Sequence, residues 1–209
     1  MTDSDAALDA YAAALQSSCD RAHALADGLS DAQFNWKPAP RAWSVGECLV
    51  HLTIIAEAYG PYFDEAFRAA PPRPARPAPF RNGLLGGFFV RAMRPGSFPV
   101  RTFAAMKPPP SDGARSTLDK AAVLADFDRH ADALLDAVER SRQVDAGRVR
   151  VREPYFPLVR LPLVAFLDGL GQHALRHVGQ AERAAAAMAD APPPAVPPPA
   201  VRPPVADSA

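Results

Sequence analysis

An all-α four-helix bundle is the fold class this sequence predicts, and three observations predict it. Four long stretches carry apolar residues at three- and four-residue steps, the period of one helix face. Of the 24 prolines, ten fall between Pro71 and Pro110 and eight between Pro192 and Pro204, so the helical stretches are nearly free of them. Capping signals stand where helices should begin.

The first helix is expected from about Ser4 to Gly28, where Leu8, Tyr11, Leu15, Cys19, Ala22, Leu25 and Leu29 keep the helical period in an alanine-rich background. Ser30-Asp31-Ala32-Gln33 has the form of a capping box, so one short turn follows before Phe34, Asn35 and Trp36. Pro38 and Pro40 then enforce an extended connector.

Ser44 and Glu47 announce the second helix as a second capping box, with Trp43 as the hydrophobic staple. Its buried line is Cys48, His51 or Leu52, Ile55, Tyr59 and Phe63. From Pro71 to about Gly113 the period is lost in proline, glycine and arginine; residues 66–111 hold eight basic residues and no acidic one. Gly83 to Met93 is the one part of this insertion expected to form a short helix.

The third helix is expected to open near Ser116 or Thr117 and stop near Val144, with Leu118, Leu124, Phe127, Ala131, Leu134, Leu135 and Val138 facing inward. Val149 to Leu161, broken by Pro154 and Pro157, suits an extended linker better than a paired central strand. The fourth helix starts around Pro162 and runs out near Asp190. Short linkers make neighbouring helices antiparallel, but the long middle connection allows the second and third to lie parallel.

One domain, residues 1–190 with the insertion at about 71–113, is expected from a chain of 209 residues, followed by a disordered Pro/Ala-rich tail at 191–209. The 23 basic residues balance 23 acidic ones, which argues against nucleic acid as a partner. No apolar run approaches the roughly 20 residues a transmembrane helix requires. Cys19 and Cys48 have no C-x-x-C spacing and the N-terminus lacks an export-signal profile, so the expected location is the cytoplasm.

The chemistry is concentrated in the fourth helix. His173 and His177 stand one turn apart, and Phe166, Leu170, His173, His177 and Gln180 step by four, three, four and three, so the histidines extend the apolar stripe. Two imidazoles so placed could grip one metal ion or could be polar side chains at a core edge. His51, on or beside the buried line of the second helix, is a candidate third ligand.

Phe34-Asn35-Trp36-Lys37-Pro38, then Trp43-Ser44-Val45-Gly46-Glu47-Cys48-Leu49-Val50-His51-Leu52, and finally His173-x-x-x-His177-x-x-Gln180, resemble the DinB/YfiT-like superfamily of metalloenzymes. The resemblance spans the four helices; the insertion and the tail are weakly covered or not covered. It implies an up-down-down-up bundle, commonly a homodimer, with a divalent ion (zinc, nickel or iron) on His51, His173 and His177. Three protein ligands leave a coordination position open, the pattern of a catalytic site. Characterised members are thiol S-transferases using a low-molecular-weight thiol as co-substrate, with maleylpyruvate isomerisation as another activity. A metal-dependent enzyme acting on a small-molecule substrate is therefore expected, against a non-catalytic metal-binding or stress-associated interaction bundle.

Further candidates each have a plainer reading. Glu47 is a base near the metal or simply the cap of its helix. Gln180 orients a ligand or hydrogen-bonds at the surface; Arg176 could hold an anionic group, but pairing with a neighbouring carboxylate is the favoured reading. Cys19 with His23 has ligand spacing, but Cys19, Cys48 and His130 are better read as packing or satisfied side chains. The basic insertion is a lid, an interfacial patch, or a loop packed over the bundle.

Overall fold

In the computed structural model, residues 2–98, 102–109 and 115–189 are described. The chain forms α1 (Asp3–Asp27), α2 (Asp31–Phe34), α3 (Val45–Arg68), α4 (Gly83–Met93), a 3-10 turn (Ala104–Met106), α5 (Lys120–Ser141), strands β1 (Arg150–Arg152) and β2 (Arg160–Pro162), and α6 (Leu163–Ala189). The tail predicted to be disordered, 191–209, lies outside the described residues.

Side-chain pairs fix the helix directions. Arg21 meets Glu182 at 2.7 Å while Tyr11 and Ala14 adjoin Gly171, so α1 and α6 are parallel. Arg142 reaches Asp9 at 2.7 Å and Lys120 caps the end of α1 through the Ala26 carbonyl, so α5 is antiparallel to α1. His51 meets His173 whereas Tyr59 packs on Phe166, so α3 is antiparallel to α6. Gly46 adjoins Leu118 and Asp64 pairs with Arg140 at 2.8 Å, so α3 and α5 are parallel. This is the up-down-down-up bundle, with α1, α6, α3 and α5 in cyclic order. Its core is one apolar cluster including Leu8, Leu49, Phe63, Val138 and Phe166.

Both capping boxes form: Ser30 and Gln33, and Ser44 and Glu47, exchange side-chain bonds with each other's backbone N–H. The predicted start of the third helix is corrected. It begins at Lys120, capped by Asp119, whose carboxylate accepts from the Ala122 N–H at 2.9 Å. Ser116 is instead drawn to Asn35: its hydroxyl donates to Asn35 Oδ1 at 2.6 Å and lies 2.9 Å from Ser44 Oγ. Asn35 also bonds both N–H and C=O of Leu118, holding the approach to α5 against the start of α3.

The segment expected as an unpaired linker is also corrected. β1 and β2 pair antiparallel, with Val151 opposite Leu161 and both buried. Pro154 and Pro157 fall in the connection, where no ladder N–H is needed. Buried Glu153 fixes that connection by accepting from the N–H groups of Tyr155 and Phe156 and from the Tyr59 hydroxyl at 2.7 Å.

The insertion is not uniformly irregular. Arg73 ties its first part to Asp5 at 2.7 Å and to the Arg142 carbonyl. The predicted helix Gly83–Met93 then packs beside α6, with Gly86 against Ala165 and Phe89 against Phe166, while Leu84, Leu85 and Phe88 stay exposed. Among the described residues no helix is long and apolar enough to cross a membrane.

Candidate metal centre

The capping box that starts α3 sets its rotation, and a close approach holds it there. A Cβ on Gly46 would lie 2.5 Å from the Phe34 ring and 2.9 Å from Leu118, so only glycine fits. Two turns on, His51 points into the bundle and is 2% exposed. Across from it α6 presents His173, half-buried, and His177, buried. The two helices meet antiparallel, so residues near the start of one face residues past the middle of the other.

The three rings gather at centroid separations of 5.1 Å (His51–His173), 4.5 Å (His51–His177) and 4.4 Å (His173–His177). One ligand atom from each lies within 4.8 Å of the others. His51 Nδ1 lies 2.6 Å from the Met106 carbonyl oxygen. A carbonyl only accepts, so Nδ1 carries the proton and Nε2 presents a lone pair to the cluster. That lone pair lies 3.1 Å from His173 Nε2.

Electrostatics keeps the cluster neutral. Burial holds His173 well below the ordinary imidazole range, and the charges of His177, His51 and Arg176 push it the same way. Burial, then His51 and Arg176, lowers His177 to about 3, with Gln180 opposing. Burial also lowers His51, against the hydrogen bond to Met106. Neutral imidazoles are what metal coordination requires.

The residues fit a metal ion. Two imidazole nitrogens on one zinc stand at most about 4 Å apart, given bond lengths of about 2.0–2.1 Å. His51 and His173 already meet that limit, and the 4.8 Å bound on the set leaves under about 1 Å to close. Among the described residues His177 Nδ1 is buried with no hydrogen-bond partner, an unmet donor or acceptor that a cation or its ligand shell would satisfy.

Trp43 and Met106 complete the surroundings. The Trp43 indole packs 4.8 Å from the His51 ring and 5.7 Å from that of His177, so it walls the cluster. On the side of His173 facing the bundle interior lies a cavity of about 30 Å³ among Leu52, Thr53, Phe127, Leu170 and Ala174. It has room for a water or two. The Met106 carbonyl had no sequence signal, because a backbone acceptor 55 residues away leaves no pattern.

The other predicted candidates are placed as follows. Glu47 is buried and committed: one oxygen accepts from the Ser44 N–H at 2.9 Å and the other lies 3.4 Å from Lys37 Nζ. Arg176 is corrected from its expected carboxylate pairing. It donates to the Ala92 carbonyl at 2.9 Å and Ser97 Oγ at 2.6 Å, tying α6 to the end of α4. Gln180 adjoins His177. His23 pairs with Asp128 at 2.7 Å, which takes it from Cys19. Burial and nearby carboxylates push the Cys19 thiol up to about 11, and burial pushes Cys48 higher, so both are thiols at neutral pH. His130 bonds the Asp126 carbonyl of its own helix at 2.8 Å.

No curated protein and no solved structure matches the chain. The profile of the DinB superfamily matches residues 14–181, from within α1 to near the end of α6, and takes in all three histidines. With its helix order and buried histidine cluster, this chain belongs to the DinB superfamily.

Proposed function

We propose that this chain is a divalent-metal-dependent enzyme that holds its ion on His51, His173 and His177 and acts on a small-molecule substrate. The observation that carries the reading is the cluster itself: three neutral, inward-facing imidazoles, with no fourth His, Cys, Asp or Glu joining them among the described residues. Zinc, nickel or iron would suit such donors and would supply Lewis acidity and a lowered pKa for a bound water or thiol. Thiol S-transfer with a low-molecular-weight co-substrate is the specific reaction we assign, on the family resemblance. A cytoplasmic homodimer completes the proposal.

The chain's own groups have defined parts. His51 keeps its Nε2 lone pair directed inward because Met106 holds the proton on Nδ1. Trp43 excludes water from one side of the rings. Arg176, fixed by Ala92 and Ser97, places a positive charge beside the cluster that favours an anionic thiolate or substrate.

Metal analysis of untagged protein tests the site. The expected result is close to one divalent ion per chain, lost in His51→Ala and His173→Ala. No stoichiometric ion, together with no rise in melting temperature on adding zinc or nickel, overturns the site.

A non-catalytic metal-binding or interaction bundle is the second reading, favoured by the commitment of Glu47 to its cap and Lys37 and of Arg176 to α4 and Ser97. A screen of electrophiles with glutathione and other small thiols separates the two. A metal-dependent rate absent from His51→Ala supports the enzyme; a background rate only, in metal-loaded protein, supports the binding bundle.

A further inference from the structure

A second concave site lies between the end of α3 and the β1–β2 hairpin, with a volume of about 170 Å³. One wall comes from Tyr62, Ala66, Ala69, Ala70 and Pro71, and the other from Arg148, Arg150, Arg152 and Arg160. It is remote from the histidines: Tyr62 to Ala69 lie about 16 to 27 Å beyond His51 along the same helix, at 1.5 Å per residue.

The hairpin register forces the arginines together. Val151 and Leu161 turn into the core, so Arg150 and Arg152 project from the opposite face, and Arg160 sits directly across from Arg152. Like charges directly opposite on a ladder destabilise it. Little protein charge compensates them. Among the described residues Glu65 is the one carboxylate of the pocket lining, and it stands 3.8 Å from Arg152. Arg150 makes long bonds, 3.3 and 3.4 Å, to the Gly147 and Val149 carbonyls. Among the described residues the guanidinium groups of Arg148 and Arg160 have no hydrogen-bond or ion-pair partner; the two residues bond only through their main chains, Arg148 to the Asp145 carbonyl and Arg160 in the ladder.

We infer that this pocket binds a small phosphate-bearing molecule, its phosphoryl group on the hairpin arginines and its organic body against the Tyr62, alanine and proline wall. Guanidinium groups are planar forks suited to phosphate oxygens, and a dianion relieves the Arg152–Arg160 repulsion that the single long Glu65 pair only partly offsets. The two-sided lining selects an anion on an apolar body over a bare anion. The site is independent of the metal proposal, since no histidine of the cluster lines it.

Phenyl phosphate serves as the probe, titrated into the full chain against benzoate and against sodium chloride at matched ionic strength. Saturable binding of phenyl phosphate is expected, with amide shifts concentrated at residues 148–152 and 160 and unchanged affinity in His51→Ala. The double variant Arg152→Gln/Arg160→Gln should bind at least about tenfold more weakly, as expected when two charge-assisted contacts are removed. That variant should also melt higher than the parent without ligand, because the opposed charges are gone. A surface arginine with a plain structural role gives the reverse. Arg148→Gln alone, which leaves the ladder untouched, should weaken binding with no change in melting temperature. Binding no stronger than the chloride control, benzoate binding as tightly as phenyl phosphate, retained affinity in the double variant, or a lower ligand-free melting temperature would each overturn the assignment.

Discussion

At Tyr59 a phenol hydroxyl donates to Glu153 Oε1 at 2.7 Å inside the core, and both groups are nearly solvent-free. Burial, with the Glu153 carboxylate adding, raises the Tyr59 pKa well above its ordinary 10. A group whose pKa is raised by folding stabilises fully below its unfolded pKa, and that stability is lost as pH rises past it. The melting temperature should therefore fall as pH climbs above about 10, the unfolded tyrosine value. Tyr59→Phe should flatten this fall, while costing stability at pH 7 because Glu153 loses a partner; differential scanning calorimetry from pH 7 to 11 measures both. Gly46 makes a steric claim of the same scale. Gly46→Ala pushes a methyl into Phe34 and Leu118 and should destabilise by about 1–3 kcal/mol in denaturant unfolding, the usual range for overpacking.

The short helix α4 is held to α6 by contacts at its middle and at its C-terminal end. Phe89 packs on the bare backbone of Gly169, where any Cβ would overlap the ring, and Arg176 grips the Ala92 carbonyl and Ser97. Gly169→Ala should therefore speed hydrogen exchange in 83–93 while α3 and α5 keep their protection; uniform loss across the bundle would show that α4 is part of the cooperative core. How far elements could be read from the sequence depended on how local their causes are. Both capping boxes and the inward line through His51, Ile55 and Tyr59 rest on neighbours within four residues, so they were legible. Ser116 looked like a cap because Asn35, 81 residues away, was invisible as its partner. The hairpin was missed because Pro154 and Pro157 mask a ladder lying on either side of them. Arg176 was sent to a carboxylate because carbonyls at the end of a distant helix carry no sequence signal.

For the molecule as a whole, the parallel setting of α3 and α5 requires the chain to travel the length of the bundle between Arg68 and Lys120. The described parts of the insertion lie against the outside of the bundle. The insertion leaves the end of α3, ties to Asp5 and Arg142, lies along α6 as α4, and reaches His51 through Met106. The topology was legible from the length of that connection together with the family resemblance; the route was not, because it is set by tertiary contacts. The histidine cluster is likewise the product of two helices and this strap, so zinc should raise the melting temperature by stabilising all three at once, and a chelator should reverse the rise. If the stabilisation seen with zinc survives in His51→Ala/His177→Ala, it arises elsewhere.

Met106 meets His51 through its main-chain oxygen, a group that every residue carries. The hydrogen bond itself therefore does not depend on which amino acid stands at 106, where the Met side chain serves only in packing against the core, but it does depend on the path that brings that carbonyl into place. Met106→Ala should be tolerated where deletion of Ala105 is not. Among related chains, the signature of this contact would be a conserved spacing and not a conserved letter.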